Sequence, residues 1–137
     1  DMLADSRLEN LAAIRRNGTS LPLMLLRIPT PSRIKEVVEI ADISLVSDTG
    51  TVSLLSEAAL HTGRTHQVIM MVDLGDLREG IWPDRLVESL RAIINLPALE
   101  VIGLGTNLAC YGGVIPDTQK MQQPKSAAAI SLYKKYI

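Results

Sequence analysis

Phenylalanine is absent from this 137-residue sequence, and with one tryptophan and three tyrosines the aromatic residues amount to 3%. The core must therefore be built from Leu, Ile, Val, Ala and Met, and the stacking platforms that hold single-stranded nucleic acid have almost no raw material. Cysteine is nearly absent as well. Cys110 alone excludes an intramolecular disulfide and a cysteine-based zinc cage, and it points to the cytoplasm as compartment. Neither sign of charge dominates, with 14 basic against 15 acidic residues scattered along the chain. That leaves no electrostatic footprint for nucleic acid or an anionic membrane surface. The apolar runs fall well short of the roughly 20 residues of a membrane span, and no charged segment with a signal-type apolar core opens the sequence. The expectation is a soluble protein without a nucleic-acid or membrane partner.

What is present is enough apolar material for one substantial core, 47% of residues in a chain the size of one ordinary domain. Met2-Leu3-Ala4 reads as the tail of a strand that begins before this sequence does. Ser6 with Glu9 three residues on reads as a capping box, and Leu8, Leu11 and Ala12 share a helical face until Asn17-Gly18. Leu21 to Pro29 is a second, apolar strand with one charge, Arg27, near its end. An arginine there must find an anion or reach solvent, so a structural carboxylate and a ligand phosphate or carboxylate both stay open.

Thr30-Pro31 opens a helix with an apolar stripe at Ile34, Val37, Val38 and Ala41, which leaves Lys35 in solvent. Ile43 to Val46 is a third strand, followed by a helix that buries Val52, Leu55 and Ala59 and closes at Gly63. His61 and His66 fall at the amino-terminal side of the next strand, away from the expected site, so no metal centre is read into them. Val68 to Val72 is a buried strand, and Trp82-Pro83-Asp84 starts a helix with Leu86, Leu90, Ile93 and Ile94 inward. Glu100 to Gly105 is the fifth strand; its glycines mark either a close approach to the backbone or a bulge.

The order is α/β, with about five strands and four helices, and right-handed crossovers make the sheet parallel. A complete (β/α)8 barrel takes roughly 250 residues, so the choice lies between an open doubly wound sheet and an incomplete TIM-type barrel segment over residues 1–120. The tail 121–137 is of uncertain structure. In either architecture working residues sit beyond the carboxyl ends of the strands. Two stretches occupy that address. After Val72 the chain turns acidic, glycine-rich and basic, placing Asp73, Asp76, Arg78 and Glu79 there; a charged turn in which Asp and Arg pair with each other is the plain alternative. After Gly105 come Thr106, Asn107, Cys110, Tyr111 and two glycines.

The wording of several segments narrows this. Ala4 to Asn10, Pro22 to Arg27, Ala41 to Leu45, Val72 to Gly80 and Gly103 to Val114 together resemble the alanine racemase amino-terminal-domain family, most of all its ornithine racemase-like branch. The resemblance implies a pyridoxal phosphate barrel with the cofactor at the carboxyl ends of the strands. There it acts as electron sink for the α-carbon of an amino acid, while two acid/base groups work on opposite faces.

Arg78 matches the arginine that hydrogen-bonds the cofactor's phenolic oxygen in the family pattern Val-Asp-Thr-Gly-Met-Gly-Arg-x-Gly. Thr106 matches the Thr of a Thr-His-Phe-Ala strand end, in which Asn107 replaces the His packed beside the pyridine ring. Met71 stands where alanine racemases carry a lysine that supports the arginine. These departures argue against alanine racemase proper, and the likeness to the ornithine racemase-like branch implies ornithine or another basic amino acid as substrate. Arg78, Asn107, Thr106, Arg27 and Asp73 are the candidate cofactor-binding residues, Asp73 more as a partner for backbone or Arg78 than as an acid. Cys110 and Tyr111 are candidates for the second catalytic group, against the plain reading of Cys110 as a small buried hydrophobe.

The family's Schiff-base lysine would precede Asp1, and none of Lys35, Lys120, Lys125, Lys134 or Lys135 ends a strand. The segment alone is therefore expected to be inactive. A cofactor-carrying barrel without racemase activity, and a non-enzymatic α/β remnant or interaction domain, are the alternatives. Unpaired sheet edges also leave a homo-oligomer open.

Overall fold

The computed structural model of the chain describes residues 1–107. Among them, strands β1 (Leu3–Asp5), β2 (Leu23–Leu25), β3 (Ile43–Val46), β4 (His66–Met71) and β5 (Leu99–Gly105) alternate with helices α1 (Leu8–Arg16), α2 (Ile34–Ile40), α3 (Thr49–Thr62) and α4 (Leu86–Ile93). The strands pair in parallel and in chain order, β1-β2-β3-β4-β5. A doubly wound sheet needs a point where strand order reverses and the helices change face. Here order never reverses, so right-handed crossovers lay the helices along one face. The open choice between doubly wound sheet and barrel segment is thereby decided for the singly wound arrangement.

Period-two alternation along the strands divides the sheet into two faces. Leu23, Leu25, Val46, Val68, Met70 and Val101 point toward the helices, where Leu11, Val37, Val38, Val52, Leu55, Leu86 and Ile93 complete a continuous core. Burying each such side chain stabilises by about 1.5–3 kcal/mol. On the other face Met24, Leu45, Ile69 and the glycines of β5 are only half-buried. Between Val68 and Ile69 the register against β5 shifts, pairing Val68 with Val101 but Ile69 with Gly103. The bulge allowed for at the β5 glycines is therefore present. Gly105 lies against Met71, whose Sδ would be 2.7 Å from an added Cβ, so the close approach there is made by a neighbouring strand's side chain.

Several local expectations shift. The Ser6–Glu9 capping box does not form: Asp5 instead accepts from the Arg7 amide at 2.7 Å and from Asn10 Nδ2 at 3.0 Å. Those two donors hold the Asp5 carboxyl below the usual carboxylate range. The second strand is three residues long rather than the full apolar run, and Leu21 and Leu26 are exposed. Pro31 and Pro83 each open a 3-10 turn before the α-helix proper. At α3, Asp48 is the cap, accepting from the Thr51 amide and hydroxyl at 2.7 Å each, and Gly63 closes the helix at φ +66° as its sequence position suggests. The boundary expected at residue 120 and the tail 121–137 lie outside the described residues. Among the described residues no helix is long and apolar enough to cross a membrane.

Candidate functional site

The loop after β4 is tied into a closed shape by its own backbone. Ile81 N donates to Met71 O and Asp73 N donates to Ile81 O, both at 2.9 Å, so the chain leaves the strand at Val72 and returns beside it. Between these ends Asp73 Oδ1 accepts from the amides of Gly75 at 2.8 Å and Leu77 at 3.2 Å. Leu77 needs that hold, because at φ +56° it occupies the left-handed region that costs a branched side chain energy. Gly80, at φ +138°, lies so close to Val72 and Asp73 that any Cβ would meet their backbone. Asp73 thus serves the loop's amides, while Arg78 pairs with Glu79.

This closure presents Arg78 and Glu79 beside the end of β5. Asn107 Nδ2 donates to Glu79 Oε1 at 3.0 Å, and the same oxygen lies 3.6 Å from Arg78 Nη2. Glu79 therefore joins the β4 loop to the end of β5, with its own side chain about a quarter exposed. Thr106 Oγ1 reaches only the Asn107 carbonyl, at 3.4 Å.

A cavity of about 600 Å³ opens at this carboxyl end of the sheet, between Ser6, Arg27, Leu45, Arg78, Glu79 and Asn107. Its size falls within the range of small-molecule sites. Two guanidiniums face one carboxylate in it, so the wall is net cationic. Arg27 lies two residues past β2 and has no partner for its guanidinium among the described residues. It borders a second, smaller cavity of about 240 Å³ as well, with Arg7, Thr30 and Arg33. Arg33 is already engaged there by Glu9 and Glu36. Arg27 is exposed, borders the cavity and forms no ion pair with a carboxylate among the described residues.

Of the residues expected at the site, Arg27, Arg78 and Asn107 come together around the larger cavity. Asp73 stands behind the loop and Thr106 beside Asn107 without lining it. Cys110 and Tyr111 lie outside the described residues. Ser6, read from the sequence as a helix cap, lines the cavity instead, together with Leu26 and Leu45, whose sequence signal was position near a strand's end. Glu79 was placed at that address, but its link to Asn107 spans 28 residues and no local pattern shows it. Lys35, the one lysine among the described residues, is exposed on α2 and does not border the cavity.

The opposite end of the sheet is organised by different groups. His66, in β4, is 2% exposed, and its Nε2 lies 2.9 Å from Ser44 Oγ. Burial pushes the imidazole down to about 4, with Asp42 pulling it up and Arg64 pushing it further down. Asp42 accepts from Arg15 and from the Leu23 amide at 2.8 Å, with Arg64 at 3.5 Å from its other oxygen. These contacts brace the amino-terminal end of the sheet and leave the cavity at the other end.

The profile of the family described as alanine racemase, N-terminal domain, matches residues 1–136. An ornithine racemase from Acetoanaerobium sticklandii is 44% identical over 124 residues, which cover 90% of this chain and 35% of that protein. A lysine racemase from Thermotoga maritima is 36% identical over 121 residues, covering 88% and 33% respectively. The chain thus spans about a third of the length of the curated relatives it matches. Among solved structures, an alanine racemase from Clostridium difficile 630 superposes with a TM-score of 0.82 at 22% identity, over 98% of this chain and 36% of the other. PipY of Synechococcus elongatus PCC7942, with PLP bound, gives 0.69 at 18% identity, over 97% and 64%. At such identities the structural likeness shows the fold, a parallel α/β barrel segment, while the profile match and the racemase relatives show descent. The chain belongs to the alanine racemase amino-terminal-domain family.

Proposed function

We propose that this chain forms part of a pyridoxal phosphate-dependent racemase acting on ornithine or another basic amino acid. The observation that carries the reading is the cavity at the carboxyl ends of β2, β4 and β5, walled by Arg27, Arg78, Glu79 and Asn107. The two relatives named as ornithine and lysine racemases support the choice of substrate class.

The donor set fits the cofactor. Pyridoxal phosphate is an anionic ring compound with a phenolic oxygen, and two guanidiniums, a carboxamide and a serine hydroxyl offer it charge and directional donors. When bound, the cofactor withdraws electrons from the substrate's α-carbon so that its proton becomes removable. Arg78 takes the phenolic oxygen, in the role of the family's motif arginine. Arg27 meets the second anionic group in the cavity, a phosphate or the substrate carboxylate. Asn107 orients the ring side of the site with Thr106 behind it, and Asp73 keeps the loop that carries Arg78 in shape. Cys110 and Tyr111 remain the proposed holders of a proton on one face of the α-carbon. A soluble cytoplasmic protein, a homo-oligomer, and no catalysis by these 137 residues alone complete the proposal.

The test uses the full-length protein that carries this sequence, incubated with pyridoxal phosphate and a panel of L-amino acids. Loss of optical rotation with ornithine or lysine supports the reading. Cofactor absorbance without racemisation of any amino acid would favour a cofactor-carrying barrel instead.

A further inference from the structure

We infer that Glu79 is a positioning residue, holding Arg78 and Asn107 together as one wall of the cavity; the inference rests on the proposed cofactor site. A single carboxylate oxygen, Oε1, receives the Asn107 amide at 3.0 Å and lies 3.6 Å from the Arg78 guanidinium. Arginine carries several rotatable bonds, and the Arg78 side chain is 44% exposed. Left to itself it would sample solvent rather than one direction into the cavity.

No other anchor is available from β4. Met71, directly below the loop, is buried and apolar, and its sulfur packs against Gly105, so it offers Arg78 neither charge nor a strong acceptor. Asp73 is occupied by the amides of Gly75 and Leu77. Glu79 is a carboxylate that forms an ion pair with Arg78. Because Gly80 packs against the Val72–Asp73 backbone and Ile81 bridges to Val72, the backbone just after Glu79 is fixed, and its carboxylate can transmit that rigidity to both neighbours. The link also crosses from the β4 loop to the end of β5. The two strand ends that make up this wall are therefore joined by one side chain, and a charge-assisted hydrogen bond suits that purpose.

A guanidinium held against the cofactor's phenolic oxygen favours its ionised form, so the visible absorbance of bound cofactor reports where Arg78 stands. In the full-length protein loaded with pyridoxal phosphate, Glu79→Ala should shift that absorbance and weaken cofactor uptake roughly tenfold. Arg78→Lys should produce the same spectral change, and the double variant should add little to either. Glu79→Gln keeps an acceptor for Asn107 but no charge for Arg78, and should fall between. Circular dichroism checks that each variant is folded. A folded Glu79→Ala protein with unchanged absorbance and uptake would overturn the inference while leaving the cofactor site standing. So would full additivity with Arg78→Lys. A full-length wild-type protein that takes up no cofactor would overturn both.

Discussion

Gly80 lies against Asp73 so closely that a Cβ on it would stand 2.5 Å from the Asp73 amide nitrogen, the same nitrogen that donates to Ile81 and closes the loop. The glycine is therefore a condition of the loop's shape. At φ +138° an alanine would be strained even with space available. Gly80→Ala is expected to destabilise by about 2–3 kcal/mol, read from urea unfolding. It should also weaken cofactor uptake by the full-length protein, because Arg78 and Glu79 hang from the distorted segment. Unchanged unfolding would mean that the loop does not close through Asp73 and Ile81.

Arg27 makes the opposite prediction. Its guanidinium has no partner among the described residues and borders the cavity, so its removal should cost the fold little. Arg27→Met should leave unfolding within about 0.5 kcal/mol of wild type. Binding of inorganic phosphate or pyridoxal phosphate should nonetheless weaken about tenfold or more, measured by equilibrium dialysis of the full-length protein. A large loss of stability without loss of anion binding would assign Arg27 to structure instead.

His66 should make stability depend on pH. Its folded-state value of about 4 lies below the 6.5 of the free imidazole, so between these limits the unfolded chain binds more protons than the folded one. The stabilisation is fully present above pH 6.5 and is lost as pH falls toward 4, amounting to about 3 kcal/mol at most. Urea unfolding across that window should show the decline. His66→Gln, whose amide can still meet Ser44, should flatten it, whereas an equal slope in the variant would assign the dependence to other groups.

Asp42 ties α1, β2 and the α3–β4 turn together at the amino-terminal end of the sheet, through Arg15, the Leu23 amide and Arg64. Asp42→Ala should destabilise by about 1–3 kcal/mol, since it leaves part-buried donors without their acceptor. Cofactor uptake by the folded fraction should be unaffected, because the contact lies at the far end of the strands from the cavity. A selective loss of uptake would contradict that separation.

Much of this architecture could be read before any coordinates. Apolar runs bounded by turn residues located the strands, and stripes such as Leu86, Leu90 and Ile93 gave the helical faces, because burial on a sheet imposes those periods directly. Handedness of crossover then made the sheet parallel. What composition and period could not supply was strand order, which decides barrel segment against doubly wound sheet. Strand β2 was overestimated since Leu21 and Leu26 are apolar yet lie outside the ladder, and a ladder's length is set by its neighbours. At the start of α1 the Ser6–Glu9 spacing suited a capping box, but the charged Asp5 takes the Arg7 amide and the Asn10 side chain instead. At the site, position at a strand's end was enough to locate Arg27, Arg78 and Asn107. The Glu79–Asn107 hydrogen bond was not legible, because it depends on two strand ends being neighbours and on a loop closing back at Ile81.

The central claim, that the cationic cavity belongs to a racemase of basic amino acids, is tested most directly by polarimetry. Full-length protein with pyridoxal phosphate is given L-ornithine and L-lysine in turn, with L-alanine for comparison. The account predicts that optical rotation decays to zero with ornithine or lysine and much more slowly with alanine. Retention of full rotation with all three, by protein whose absorbance shows bound cofactor, would contradict it.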